Sequence, residues 1–524
     1  MDAMTAMLPV PRPEATLLSR FAALAGWRAD GAALALGLVS ALALPPLHVL
    51  PALLIAVPGL LALVAGARGV RGAFRRGVAF GFGHHLIGLY WITEAILLES
   101  ARYWWFVPLA VPALSALLAL FIGVPAAAAR LARPGWRRVL VFGGVWLLAD
   151  LARQYIGTGF PWNPWGSVWA VPGGFGDVMI QPAAWVGTPG LTLATVVLAA
   201  LPVLGWRGWA TGASVLALWA VGGLWRLSDA EPAAPGLVAV LVQGNVAQGE
   251  KWDRGTAAAA FERYLALSAA GVAEAGTRPA VVVWPETASA YWLQFDAGAR
   301  DAIAAAIRPA RGAIVGSLTV AKEGPPNDTD NLPYNTMVAL KPDGAIAGLY
   351  SKWHLVPFGE YAPGWVPLAI KVVPGRFGFG SGPATLRLPG VPPFGGMICY
   401  EVIFPAQVVD EADRPEWLVN ITNDAWFGNS TGPRQHLAAA RLRAVEEGLP
   451  LLRAANTGIT AGFDSRGREL GRLPRAVPGQ LTLAIPGRRP PTSFSRLGLV
   501  VPGLLAMMAV GLACGRRRRM VSGN

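Results

Sequence analysis

Cysteine is nearly absent. Cys399 and Cys514 are the only two in 524 residues. This excludes a disulfide scaffold and any metal site built from several thiolates. Histidine is as scarce, with five in the chain. The adjacent pair His84–His85 would point to two different helix faces, and no carboxylate or thiol stands near it at ligand spacing. The pair therefore reads as packing or interhelical hydrogen bonding, and no metal is expected. Charge is sparse: Asp, Glu, Lys and Arg make up 14% of the chain against 54% hydrophobic residues. That is too apolar for an ordinary soluble protein. Lysine occurs only five times, so the net charge of +13 comes mostly from arginine. The arginines sit beside apolar runs and do not form one basic face, which argues against a nucleic-acid partner.

What is present is long hydrophobic runs. Eight stretches read as membrane spans: roughly 30–46, 47–67, 77–98, 104–131, 137–154, 183–204, 207–226 and 495–514. Between the seventh and eighth lies a segment of mixed charge with ordinary turn signals. The expected organisation is a membrane domain at 1–228, a soluble domain at 229–490, and a last span with a basic tail at 491–524. Every second connection is basic: "RFAALAGWR", "ARGVRGAFRRG", "ARLARPGWRR", "GWRG" and the terminal "RRRR". The positive-inside rule then places both termini in the cytoplasm and the soluble domain outside it. Cys399 and Cys514 fall on opposite sides of the bilayer and cannot pair.

In the soluble segment the apolar runs shorten to strand length and alternate with helical stretches near 254–274, near 297–309 and over "PRQHLAAARLRAVEEG". "NTMVAL-KPDG-AIAGLYSK" reads as a hairpin. The pattern predicts a layered α/β domain. Three strands end in residues able to do chemistry: "VVVWPE" in Glu286, "GLYSK" in Lys352 and "GGMIC" in Cys399. In such folds reactive groups gather just past the carboxyl ends of strands. A carboxylate that takes a thiol's proton, and an ammonium that steadies the thiolate and the oxyanion formed on an attacked carbonyl, would make a coherent set. By residue type alone, Cys399 reads first as a buried core cysteine, and its neighbours change that reading. "TNDAWFG" at 422–428 reads either as pocket lining or as turn chemistry. Glu94, in the third apolar stretch, is expected to face protein or water near its outer end.

The ordered motifs "WPE", "YSKWHLVPFGEY" and "CYEVIFP" resemble the carbon–nitrogen hydrolase (nitrilase) superfamily. The flanking spans, "GTGFPWN" and "QGNVAQGEKW" narrow the resemblance to its membrane branch, the apolipoprotein N-acyltransferases of bacteria. The resemblance implies an extracytoplasmic, nitrilase-like α-β-β-α sandwich carried by a multi-span α-helical membrane domain. It implies Glu286 as general base, Lys352 as oxyanion stabiliser and Cys399 as nucleophile, with Glu360, Tyr400 and Glu401 in support. Trp252, Trp162, Phe160 and Asn335 match the substrate side. Asp150 stands where the family is expected to have Glu, and its shorter arm would reach Arg153 one turn along the helix.

The implied reaction is a ping-pong transfer. An acyl chain passes from the sn-1 position of phosphatidylethanolamine to Cys399. It then passes to the α-amino group of an N-terminal S-diacylglyceryl cysteine on an apolipoprotein. No cofactor is implied, and a monomer in the bacterial inner membrane, with its catalytic domain in the periplasm, is expected. The segment 364–380, rich in Gly and aromatics, is expected to form a lipid-facing lid. The alternative function is a membrane-tethered amidase that hydrolyses small amides.

Overall fold

The structure, a computed structural model, describes residues 16–98, 103–250, 254–321, 331–364 and 376–515. Trp252, most of the expected lid (365–375) and the arginines of the tail (516–519) lie outside the described residues.

Helices occupy all eight apolar stretches: Gly26–Ser40, Pro51–Ala65, Gly69–Gly88, Val107–Leu131, Trp136–Arg153, Ala183–Ala200, Trp206–Ser228 and Val500–Cys514. Three stretches among the described residues are long and apolar enough to cross a membrane: Trp104–Leu131, Ala183–Leu204 and Trp206–Ser228. Pro51–Ala65 and Val500–Cys514 are apolar but shorter. Two expected boundaries are corrected. The first helix stops at Ser40, ahead of Pro45 and Pro46. The third stops at Gly88, and a separate short helix, Ile92–Leu97, carries the half-buried Glu94.

Close packing of the bundle rests on small residues. A Cβ on Gly81 would lie 2.9 Å from the Cα of Ala119, and one on Gly77 would lie 2.7 Å from the carbonyl oxygen of Ile122. The Gly-x-x-x-Gly spacing thus lets helices 69–88 and 107–131 touch backbone to backbone. Leu109, Leu117 and Leu120, Leu218, Val221 and Leu224, and Leu504, Met507 and Leu512 point outward from three helices. Such faces suit a lipid solvent, and the protein is membrane-bound.

The soluble domain is built on β1 (Val238–Gln243), β2 (Ala280–Val283), β3 (Ala313–Val320), β4 (Pro333–Leu340), β5 (Ile346–Ser351), β6 (Thr385–Leu388), β7 (Val391–Ile398), β8 (Trp417–Thr422), β9 (Leu451–Ala455), β10 (Thr460–Phe463), β11 (Glu469–Leu473) and β12 (Gly479–Ala484). They form two six-stranded sheets, ordered β12-β1-β2-β3-β4-β5 and β11-β10-β9-β8-β7-β6. β1–β3 run parallel, as do β7–β9. The predicted hairpin is β4–β5, an antiparallel pair.

Successive side chains of a strand face opposite ways, and here both faces are covered. Ala239, Leu241, Val281 and Val283 meet Phe394, Ile398, Trp417 and Val419 between the sheets. Val238, Val240, Val282 and Trp284 meet Phe261, Tyr264 and Ile303 of the outer helices Arg254–Ala275 and Ala297–Ala306. This double burial explains why the strands read as continuous Val/Ala/Leu runs.

The outer face of the second sheet is covered by the helix Gly432–Glu447 and by Leu89, Trp91 and Trp162 of the membrane domain. That helix is charged in sequence yet almost wholly buried. Its charges are paired: Arg441 with Asp177 at 2.6 Å, and Arg443 with Glu446 at 3.0 Å. Glu446 also accepts from the Thr188 hydroxyl at 2.6 Å. These contacts seat the domain on the membrane helices.

Candidate active site

Glu286 follows β2, Lys352 follows β5 and Cys399 follows β7, so three strand ends from both sheets converge. Lys352 Nζ lies 3.3 Å from Glu286 Oε1 and 2.9 Å from Glu360 Oε1, and only 1% of its side chain is exposed. Asn335 Nδ2 donates to Glu286 Oε1 at 2.7 Å and to Glu360 Oε1 at 3.2 Å. The other Glu286 oxygen accepts from the Asn423 backbone N–H at 2.8 Å, and the other Glu360 oxygen from that of Val356 at 2.8 Å. A buried ammonium with two buried carboxylates stays in place only when its partners are fixed in this way.

The backbone around these groups is shaped to bring them together. Cys399 has φ +51°, in the left-handed region that non-glycine residues seldom enter. It stands between the end of β7 and the short turn Cys399–Ile403. Thr287, next to Glu286, has φ +45°. A Cβ on Gly316 would lie 2.1 Å from the Pro285 carbonyl oxygen and 2.7 Å from the Glu286 Cα. Only glycine at this point of β3 lets the Glu286 segment lie against the sheet.

The electrostatics differ in one respect from the sequence expectation. Burial raises the Cys399 thiol well above its ordinary value, and the Glu286 charge adds to this against the opposing pull of Lys352. Burial alone would lower Lys352, but Glu286 and Glu360 outweigh it and hold the ammonium protonated above its ordinary range. One cation beside two carboxylates leaves a negative site, so a free thiolate is disfavoured. The arrangement suits attack in which the thiol proton leaves for a carboxylate as the new bond forms.

Glu401 ties two strand ends together. One oxygen accepts from the backbone N–H groups of Trp353 at 2.8 Å and His354 at 3.4 Å. The other accepts from Ile398 N–H at 2.6 Å and Tyr350 Oη at 2.8 Å. The residues after Lys352 and before Cys399 are thereby held on one carboxyl. Burial pushes that group up to about 7, against the pull of these donors. Replacing Glu401 by Gln aims an NH₂ at N–H or O–H donors. We expect a destabilisation of about 1–3 kcal/mol for the unpaired buried groups, read as a lower melting temperature in detergent.

The remaining sequence candidates lie at the junction with the membrane domain. Tyr400 Oη donates to the Gly159 carbonyl at 2.9 Å. Phe160, half-buried, stacks on Trp162 and Tyr400. Trp162 is buried, and its indole N–H donates to Gln435 Oε1 at 2.8 Å. Trp162 and Asn335 thus have protein partners, and among the described substrate candidates Phe160 is the most open. Asp150 reaches Arg153 at 3.1 Å. His84 engages Ser40 Oγ at 2.9 Å and accepts from the Trp165 indole at 3.2 Å, which is interhelical hydrogen bonding.

The structure adds residues that the sequence reading did not single out. Asn423, in the ambiguous "TNDAWFG", holds Glu286 through its backbone. Its neighbour Asp424 joins a buried cluster with His436 and Arg453 directly beneath Cys399. The available signal was a fourth strand end, β8, carrying Asn and Asp, and one of only five histidines on the following helix.

Comparison with known proteins agrees with this architecture. The carbon-nitrogen hydrolase family matches residues 239–486, and the apolipoprotein N-acyltransferase N-terminal domain matches residues 36–201. The apolipoprotein N-acyltransferase of Rhodopseudomonas palustris is 35% identical over 94% of this chain and 96% of its own. That of Allorhizobium ampelinum is 39% identical over 87% of this chain and 90% of its own. Among solved structures, an amidase from Nesterenkonia sp. is 19% identical with a TM-score of 0.34, covering 49% of this chain and 94% of its own. On the near-complete match to relatives above 30% identity, this chain belongs to the apolipoprotein N-acyltransferases, a carbon–nitrogen hydrolase domain joined to a membrane domain.

Proposed function

We propose that Cys399 carries an acyl chain from a phospholipid to the α-amino group of an S-diacylglyceryl cysteine at the N-terminus of an apolipoprotein. The observation that carries this reading is the meeting of Glu286, Lys352 and Cys399 at three strand ends, over a domain seated on membrane helices. The Cys399 thiol attacks the sn-1 ester carbonyl of phosphatidylethanolamine, and Glu286 takes the thiol proton. Lys352 stabilises the oxyanion. The ester C–O bond breaks, Glu286 returns the proton to the leaving alkoxide, and lysophospholipid departs from a Cys399 thioester. The acceptor amine attacks that thioester and gives its proton to Glu286. The thiolate leaves and is reprotonated, and the product is an amide. Water as second nucleophile would instead hydrolyse the thioester.

Taking an acyl chain out of lipid into water costs about 0.8 kcal/mol per CH₂. A site held against the bilayer avoids that transfer. The test is intact-mass analysis after exposure to phosphatidylethanolamine. An acyl adduct on Cys399, discharged by a diacylglyceryl peptide, is expected. An adduct formed only from a small amide and discharged by water would overturn the reading.

The same reading puts the catalytic domain in the periplasm and both termini in the cytoplasm of the inner membrane, supported by the alternation of basic loops. Ala270, on the outer helix Arg254–Ala275, is exposed. In a Cys514→Ser background, a cysteine at Ala270 should react with a membrane-impermeant maleimide in cells whose outer membrane alone is permeabilised. Reaction only after lysis would reverse the orientation.

A further inference from the structure

The mechanism above leaves one buried cluster without a task. His436, Asp424 and Arg453 come from three elements: the helix Gly432–Glu447, the turn after β8, and β9. All three are sealed from solvent, at 0%, 1% and 0% exposure. His436 Nε2 lies 3.0 Å from the carbonyl oxygen of Cys399. A carbonyl can only accept, so Nε2 carries the proton and donates. His436 Nδ1 lies 3.0 Å from Asp424 Oδ1 and 3.1 Å from Arg453 Nη2. A protonated Nδ1 finds the carboxylate, and an unprotonated one accepts from the guanidinium, so the ring keeps its orientation in either state. Arg453 also donates to Asp424 Oδ2 at 2.7 Å, and the Thr422 hydroxyl to Asp424 Oδ1 at 3.0 Å. Trp162 and Phe427 cover the ring, with centroids 5.6 and 5.7 Å away.

We propose that His436 is a positioning residue for the nucleophile, fixing Cys399 through the hydrogen bond from Nε2–H to the Cys399 carbonyl, with Asp424 and Arg453 orienting the imidazole. The proposal rests on Cys399 being the acyl carrier. At φ +51° the Cys399 backbone is in a conformation it would leave unless its surroundings hold it. A trans peptide is planar, so a fixed Cys399 carbonyl also fixes the opposed Tyr400 N–H, and with the peptide plane pinned the rotation about Cα–C that would swing the Cα–Cβ bond is resisted. Without this bond the thiol turns away from Glu286 and Lys352, and a misplacement of about 1 Å lowers a reaction rate by about 10²-fold.

The test uses the full-length enzyme in detergent–phospholipid micelles and reads single-turnover acylation of Cys399 by intact mass. His436→Ala should acylate about 100-fold more slowly, with the half-saturating phosphatidylethanolamine concentration unchanged. His436→Gln, whose amide nitrogen can occupy the Nε2 position, should recover most of the rate. His436→Asn, one bond shorter, should not. A fold defect does not predict this order, and melting temperatures of the three variants check for one. If His436→Ala fails to fold, the Gln and Asn variants decide alone. Acylation by His436→Ala at the unaltered rate, or Gln no better than Asn at matched melting temperature, overturns the proposal. A wild-type protein that never gains the acyl mass overturns the nucleophile assignment itself, and this inference with it.

Discussion

Cys399→Ala is expected to abolish both the acyl adduct and acyl transfer while leaving the fold in place. The substitution removes only a sulfur from a site that packs against the core between the sheets, and the backbone contacts of residue 399 remain. No second cysteine among the described residues stands at the site. Cys514 lies at the far end of the last helix. Loss of a nucleophile that acts as one unit with its base removes on the order of 10⁴-fold or more of the rate. Cys399→Ser should fare little better. A hydroxyl is far less acidic than a thiol, and a negative, buried site gives it no help toward ionisation. Cys514→Ser should transfer normally. Acyl adduct on Cys399→Ala, or loss of transfer in a folded Cys514→Ser protein, would remove Cys399 from the reaction.

The second large effect is a contrast between Glu286 and Lys352. Glu286→Gln keeps size and shape, but its one amide oxygen can serve either Lys352 and Asn335 or the Asn423 N–H, and its NH₂ then faces the other side. It cannot take a proton, so acylation should fall by about 10²–10⁴-fold, with a stability loss of about 1–3 kcal/mol for the donor left facing the NH₂. Lys352→Met should be as inactive and also unstable. It leaves Glu286 and Glu360 facing each other without the cation that lies 3.3 and 2.9 Å from them. Breaking a buried pair in this way costs about 3–5 kcal/mol. Adding Glu360→Gln to Lys352→Met should restore much of the melting temperature and none of the activity. Thermal denaturation and single-turnover acylation, measured together, separate the two effects. Equal stability loss in Glu286→Gln and Lys352→Met would mean that the triad is a structural knot and not a proton-transfer site.

Much of the architecture is legible in the residues because it follows from local periodicity and solvent. Uninterrupted apolar runs must be helices in a membrane, since lipid offers the backbone no hydrogen-bond partners. The short Val/Ala/Leu runs at 238–243 and 280–283 must be strands covered on both faces. Strand ends also announce chemistry: Glu286, Lys352 and Cys399 each interrupt an apolar run with a polar side chain, and Glu360 follows in "VPFGEY". The left-handed Gly448 after "RAVEE" marks a helix end that sequence places correctly.

What the residues do not state is which partner each polar group finds across the fold. "TNDAWFG" carries signals for both a turn and a pocket. Only the register of β8 against β7 and β9 brings the Asn423 N–H to Glu286 and Asp424 to Arg453. Nor does the sequence show that the Trp162 indole donates to Gln435, 273 positions away on the helix Gly432–Glu447. The charge of the site was likewise a tertiary outcome. A lysine near a cysteine suggests a thiolate, but two carboxylates recruited from positions 286 and 360 reverse the balance. Sequence alone determined that this chain is a set of membrane helices carrying a layered α/β domain with a thiol, an acid and a lysine at strand ends, because apolar patterning is a local property. The tertiary structure decided which acids hold the lysine and that a buried imidazole grips the Cys399 carbonyl. Those contacts join residues from 8 to 66 positions apart, and hydrogen-bond geometry exists only once the sheets are stacked.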